Sequence, residues 1–285
     1  MIASVRPFPV SVPGTPLPSA RPSPHVWGVV LAGRPLGRGP AHMRHALARA
    51  TRLVPHERLV SVVCRDAARN CGPVLADLPD ATQIVQPTYR GRAVELFLAV
   101  LLIARRDPNA VIVALSAEES DNHDARLLPA VRNAVRAVGL RPDLTVLVGG
   151  RPRTGRAIDG WIEPGFPVEG LEDLAVRTIR RFVYEPAHRC ASSASLLSTS
   201  AIVARARTLI AMGRRWVPEV LETLEPLEAV ADAPEAGLLA EAVYECMPYA
   251  SLSRELLERG REVAVLPVPD AVSHSGVGEL VRLAS

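Results

Sequence analysis

The chain has 285 residues, of which 48% are hydrophobic and 22% charged, with a net charge of +3, so it can bury a sizeable core and is no disordered polyelectrolyte. All 33 of its basic residues are arginines, interleaved with 30 acids, which excludes the clustered basic stripe of a nucleic-acid binder; no apolar run reaches the roughly eighteen residues that a membrane span needs. Cys64, Cys71, Cys190 and Cys246 show no C-x-x-C spacing, so neither a zinc site nor a disulfide framework is indicated, and reduced thiols in a cytoplasmic protein are expected.

Residues 1 to 25 carry seven prolines and no basic-then-apolar order of a secretory signal; they predict a disordered tail, with one folded domain over 26 to 285. Val26 to Ala32 reads as a buried strand running into Gly33, a place where backbone N–H groups converge on an anion. A helix follows from Ala41 to Leu53, then a strand from Leu59 to Cys64, a helix from Ala67 to Leu78 and a short strand from Gln83 to Gln86. Arg92 to Arg105 places Val94, Phe97, Val100 and Leu101 on one face and stops at Asp107-Pro108. Ala110 to Ser116, apolar at nearly every position, predicts a central strand, and Asp124 to Val138 predicts a helix.

After the strand Thr145 to Gly149 the segments shorten: Ile158 to Glu163, Ala175 to Tyr184 and Ser195 to Val203 suggest a mixed-sheet subdomain laid over the first half. Helices are predicted at Ala204 to Met212, Val217 to Leu224, Gly237 to Glu245 and Ser251 to Glu258, and a last strand at Val263 to Pro267. No internal repeat is present. His42 and His45 lie one helical turn apart but have no third ligand nearby, so an exposed polar face is the simpler reading. Trp27, Trp161 and Trp216 read as packing residues.

Several fragments, in this order and spacing, carry a resemblance: Val-Val-Leu-Ala-Gly at 29 to 33, Gln-Pro-Thr-Tyr-Arg-Gly at 86 to 91, Asp-Gly-Trp-Ile-Glu-Pro-Gly at 159 to 165, Ser-Leu-Ser-Arg-Glu-Leu-Leu-Glu at 251 to 258 and Val-Ala-Val-Leu-Pro-Val-Pro-Asp at 263 to 270. From Val26 to Leu283 the chain resembles the sugar-1-phosphate nucleotidyltransferases, and within them the mannose-1-phosphate guanylyltransferases. The resemblance implies a Rossmann-like, three-layer α/β nucleotide-diphospho-sugar transferase fold with a mostly parallel mixed sheet. It implies GTP and mannose 1-phosphate as substrates, GDP-mannose and pyrophosphate as products, and Mg2+ on carboxylates as the cofactor of an active enzyme.

On the matching positions the resemblance implies a nucleotide site at Gly33, Arg34, Gln86 and Gly91, a sugar site at Gly160 and Glu185, and a metal position at Glu118. The departures are as informative. The family's glycine-rich loop and its phosphate lysine have no counterpart in Arg34 to Pro40, where Arg34, Arg38 or Arg44 would have to meet a phosphate. The first metal acid falls on Ala117 and Glu118, with Glu118 or Glu119 serving after a one-residue slip; the same acids also fit a loop and helix start. The second metal acid falls on His274. The family's Glu-Lys pair becomes Tyr184 and Glu185, an Asn becomes Ser198, a Tyr becomes Asp159, and the Thr after Gly91 becomes Arg92. Three outcomes stay open at this stage: a nucleotidyltransferase-like protein with impaired catalysis, a working enzyme with rearranged ligands, or a non-catalytic subunit that binds a nucleotide sugar and pairs with an active paralogue or with itself.

Overall fold

A computed structural model describes residues 25–33, 40–76, 78, 82–117, 124–151, 160–184, 194–230 and 236–268. The proline-rich tail up to residue 24, Arg34, Arg38, Glu118, Glu119, Asp159, Glu185, Cys190 and His274 lie outside the described residues. The first half of the fold is β1 (Val26–Ala32), α1 (Pro40–Thr51), β2 (Leu59–Cys64), α2 (Arg65–Leu75), β3 (Gln83–Gln86), α3 (Arg92–Arg106), β4 (Val111–Ser116), α4 (Asp124–Leu140) and β5 (Thr145–Gly150). The second is β6 (Trp161–Pro167), β7 (Arg177–Val183), β8 (Leu196–Arg205), α5 (Ala206–Trp216), α6 (Pro218–Ala229), α7 (Ala236–Cys246), a π-helical turn at Leu252–Leu257 and β9 (Val263–Pro267).

The nine strands among the described residues form one sheet in the order β3-β2-β1-β4-β8-β5-β9-β7-β6, with β6 also paired to β8. β1 pairs in parallel with β2 and β4, β2 with β3, and β5 with β9, whereas β8 runs antiparallel to β4, β5 and β6, and β7 antiparallel to β6 and β9. Only β7 and β8 therefore oppose the common direction. β6, β7 and β8 extend and complete the sheet; they do not form a subdomain laid over it, because β8 supplies the backbone partners of both β4 and β5. The alternation of short apolar segments gives a strand's faces but carries no information on its neighbours.

Side-chain alternation along β1 builds the three layers. Val29 and Leu31 enter one core with α3, α5, α6 and α7, while Val30 and Ala32 enter a second core with α1, α2 and α4. Continuous burial of β2 and β4 follows from this two-sided cover. At the start of β1, burial alone would raise the Asp107 carboxyl, but hydrogen bonds from the Trp27 indole at 3.0 Å and from His25 outweigh it and hold the carboxyl below its ordinary range. Asp107 thus caps α3 and ties that helix end to β1.

Several elements differ from the sequence expectation in extent: α2 ends at Leu75, α5 runs on to Trp216 and α6 to Ala229. β6 begins at Trp161 and continues to Pro167, bending at a register shift beside Pro164, where a proline cannot donate to the ladder. The segment expected as a helix from Ser251 is a π-helical turn, opened by the Ser251 hydroxyl accepting from the Arg254 backbone N–H.

Candidate functional site

Strand order reverses between β1 and β4: from β1 the chain proceeds outward to β2 and β3, then returns to β4 on the other side. In open α/β sheets the crevice beyond the carboxyl ends of strands at such a switch point is where ligands bind. Here it is bounded by Gly33 after β1 and Ala117 after β4, whose backbone N–H donates to the Leu31 carbonyl at 3.0 Å. β5 ends at the same side, since Gly150 pairs with Leu197 and Leu197 with Trp161, so Gly160 also lies at this end of the sheet.

A chain of buried polar side chains closes over Gly33. Glu95, in the first turn of α3, and Gln86, the last residue of β3, lie so close that a Cβ at Gly33 would overlap Glu95 Oε1 and Gln86 Nε2. Gln86 donates from Nε2 to Glu95 Oε1 at 3.1 Å and accepts at Oε1 from the Tyr244 hydroxyl of α7 at 3.0 Å. Glu95, Gln86 and Tyr244 are each exposed by 2% or less. Burial first, and the charge of Glu95 second, push the Tyr244 phenol far above its ordinary value, so it remains a neutral hydroxyl and a donor. That donation fixes the Gln86 amide with its oxygen toward Tyr244 and its nitrogen toward the carboxylate.

On the other side of the crevice two guanidinium groups meet at the end of β4. Arg49 of α1 donates from Nη2 to the Ser116 carbonyl, and Arg92 of α3 donates from Nη2 to the Ser116 hydroxyl, both at 3.2 Å. Ser116 is 2% exposed and Arg49 4%, while Arg92 is half-buried. The helices that deliver these arginines pack on opposite faces of the sheet, so the two charges approach one residue from both sides.

The residues implicated by the resemblance separate into three groups. Gly33 and Gln86 come together, with Gln86 committed to Tyr244 and Glu95. Gly91 stands at the N-terminus of α3 with φ of 100°, where a Cβ would overlap the Ala250 carbonyl oxygen. Ala250 in turn donates from its backbone N–H to the Arg90 carbonyl at 3.0 Å and accepts from the Ala93 N–H at 3.2 Å. Gly160 has φ of 124°, and a Cβ there would sit 2.8 Å from the Phe182 ring, so its backbone is pressed against a side chain of β7. Arg34, Glu118 and Glu185 fall outside the described residues. Within the described residues no cluster of three His, Cys, Asp or Glu side chains exists; His45 is exposed on α1.

Sequence reasoning missed Glu95, Tyr244, Ser116 and Arg49. Glu95 had a signal: it is the one polar residue between Arg92 and Arg105 in an otherwise apolar helix, and a lone acid on a buried face demands a partner. Tyr244 had none, because its partner lies 158 residues away.

The sheet, the helices on its two faces and the switch-point crevice define a three-layer α/β fold with a mostly parallel mixed sheet. Among solved structures, the chain is similar to mannose-1-phosphate geranyltransferase from Thermus thermophilus, with a TM-score of 0.69 and 22% identity over 86% of this chain and 74% of that one. It is also similar to mannose-6-phosphate isomerase from Helicobacter pylori, with a TM-score of 0.64 and 13% identity over 86% of this chain and 97% of that one. At such identities the likeness is one of fold. No protein-family profile matches the sequence, and neither does any curated protein.

Proposed function

We propose that the chain is a nucleotidyltransferase-like protein that binds a nucleotide or nucleotide sugar in the switch-point crevice and has impaired or lost catalysis of the reaction GTP plus mannose 1-phosphate to GDP-mannose plus pyrophosphate. The observation that carries this reading is the charge arrangement around Gly33 and Ser116. A buried carboxylate lies against the glycine whose backbone would cradle phosphate, and guanidinium groups stand at the end of β4, where the resemblance calls for a metal-binding acid.

The described donors do not fit Mg2+. That ion takes oxygen ligands in near-octahedral geometry; Glu95 spends an oxygen on Gln86, and the Ser116 hydroxyl faces a guanidinium. No step through the ion follows from these residues. What they do supply is position: Tyr244 and Gln86 hold Glu95, Glu95 packs against the end of β1, and Arg92 bonds the Ser116 hydroxyl at the end of β4. Charge stabilisation in phosphoryl transfer is shared between a metal ion and basic side chains, and of these the described residues at the end of β4 supply guanidinium groups.

Purified protein with GTP, mannose 1-phosphate and Mg2+ is expected to release no pyrophosphate above the uncatalysed rate, while calorimetric titration with GDP-mannose gives a saturable signal. Sustained turnover would overturn the loss of catalysis. Absence of a heat signal with GDP-mannose, GTP and GDP alike would overturn the binding role.

A further inference from the structure

We infer that a groove between the start of α6 and residues 248 to 255 is a docking site for a proline-rich segment bearing an arginine, and that its occupant is the chain's own Arg6-Pro7-Phe8-Pro9. The inference is independent of the functional reading above.

A cavity of about 240 Å³ lies where α5 turns into α6 and where the chain leaves α7 for the π-helical turn; its walls include Trp216, Pro218, Glu219, Pro248, Tyr249 and Glu255. That is less than the roughly 300–1,000 Å³ of a site that encloses a drug-sized ligand, so it suits a few side chains of a peptide laid across it. Tyr249 is 62% exposed and meets Tyr89 edge-on, with ring centroids 6.2 Å apart, so the aromatic wall continues past the rim. Solvent-facing grooves lined by aromatic rings hold polyproline II segments, whose prolines pack on the rings and whose preformed helix has little entropy to lose. The walls carry two carboxyl groups and no basic side chain. Neither the Glu219 nor the Glu255 carboxyl takes a hydrogen bond or an ion pair, and Glu255 Oε2 is buried without a donor. The adjacent guanidinium groups are turned elsewhere: Arg215 bonds Glu262 at 3.1 Å and lies over the Trp216 ring, and Arg254 lies over the Tyr184 ring. An arginine at the mouth of the cavity supplies both the N–H donors and the opposite charge.

Reach selects the occupant. His25 bonds Asp107 at the C-terminal end of α3, whereas Ala250, in the groove wall, accepts from the Ala93 N–H in the first turn of the same helix. The 15 residues of α3 therefore separate the start of β1 from the groove, roughly 22 Å at the helical rise. Two arginines precede His25, each followed by proline, in Arg21-Pro22-Ser23-Pro24 and Arg6-Pro7-Phe8-Pro9. Arg21 stands four residues before His25, about 12 Å as polyproline II, and falls short. Pro9 stands sixteen residues before it, about 50 Å on the same rise, which leaves slack to pass around the helices. Tethering also gives this segment an effective concentration that a separate peptide has to match in solution.

The whole chain with photoreactive p-benzoylphenylalanine in place of Phe8 tests this. Irradiation and peptide mapping are expected to place cross-links on residues 216 to 220 and 248 to 255, in a product of monomer mass. Arg6→Gln and Glu255→Gln should each lower the cross-linking yield about threefold, the loss of one partly exposed ion pair, and Arg6→Lys should keep most of it. Unchanged thermal unfolding of Glu255→Gln shows that the groove survives; if that variant does not fold, Arg6→Gln carries the comparison. Cross-links spread over other surfaces, or none, overturn the inference. A groove cross-link indifferent to both Arg6 and Glu255 overturns it as well. Groove cross-links confined to covalent dimers overturn it in favour of the same segment from a second copy. Each of these outcomes leaves the crevice reading standing, since that is decided by pyrophosphate release and GDP-mannose titration.

Discussion

The resemblance assigns both Gly33 and Gly91 to a nucleotide site, and the fold crowds the two glycines in opposite ways. Around Gly91 the close neighbour is backbone, the Ala250 carbonyl, and the residue's φ of 100° is itself closed to ordinary side chains. Around Gly33 the close neighbours are the ends of two side chains, Glu95 and Gln86. A backbone neighbour belongs to the architecture and cannot retreat, whereas a side-chain end can be exchanged by a single substitution. The lesson is that a glycine matched by motif is evidence of function only when whatever crowds it is not the chain itself. Tyr244 spans the two neighbourhoods: its hydroxyl holds Gln86 beside Gly33, and its carbonyl accepts from Arg90 Nη2 at 2.9 Å, next to Gly91.

The contrast has consequences of graded size. Gly91→Ala should be the most damaging, costing about 3 kcal/mol or more through combined φ strain and backbone overlap, read from urea unfolding. No second-site change of a side chain should restore it. Gly33→Ala should cost about 1–3 kcal/mol by overpacking, and shortening Glu95 to Ala in the same chain should recover much of that. A double-mutant cycle that shows strict additivity at these two positions would erase the distinction drawn between the glycines.

Tyr244→Phe leaves the Gln86 carbonyl oxygen without its donor and should cost about 1–2 kcal/mol near neutral pH. Its pH dependence sharpens the assignment. Because burial and Glu95 raise the folded phenol above its unfolded value near 10, the unfolded chain loses the proton first as pH rises. Stability from this group is full below about pH 10 and declines above it. The parent's alkaline decline should therefore be steeper than that of Tyr244→Phe, as followed by denaturant midpoints between about pH 8 and about pH 11; parallel curves would show that Tyr244 ionises as freely in the fold as in the unfolded chain.

Much of the fold was legible in the sequence because each element satisfies its own periodicity. β2, β3 and β9 fall on the expected residues, and α3 opens at Arg92 after Gly91 and closes at Asp107, as its apolar face and the following proline dictate. Less legible was the pairing of β8, whose register sets Val203 beside Val113 of β4 and Ile202 beside Leu147 of β5, both remote along the chain. Nothing in the residues of β8 records those partners. The candidate site was half legible for the same reason. Gly33 and Gln86 were singled out by local motif, but the side chains packed against them come from α3 and α7, and their convergence is a property of the packed layers.

The antiparallel seat of β8 also sets an order of assembly. Strands β1 to β4 with their helices precede it, and β4 presents an open edge until residues 196 to 205 arrive to cover it. During synthesis roughly a quarter of the chain must emerge between β4 and the strand that seals it, so a parallel half with one unsatisfied border has to wait. The same placement means that truncation anywhere before β8 removes the seam between the two halves of the sheet, and with it the backbone that keeps the end of β4, and therefore Ser116, in register.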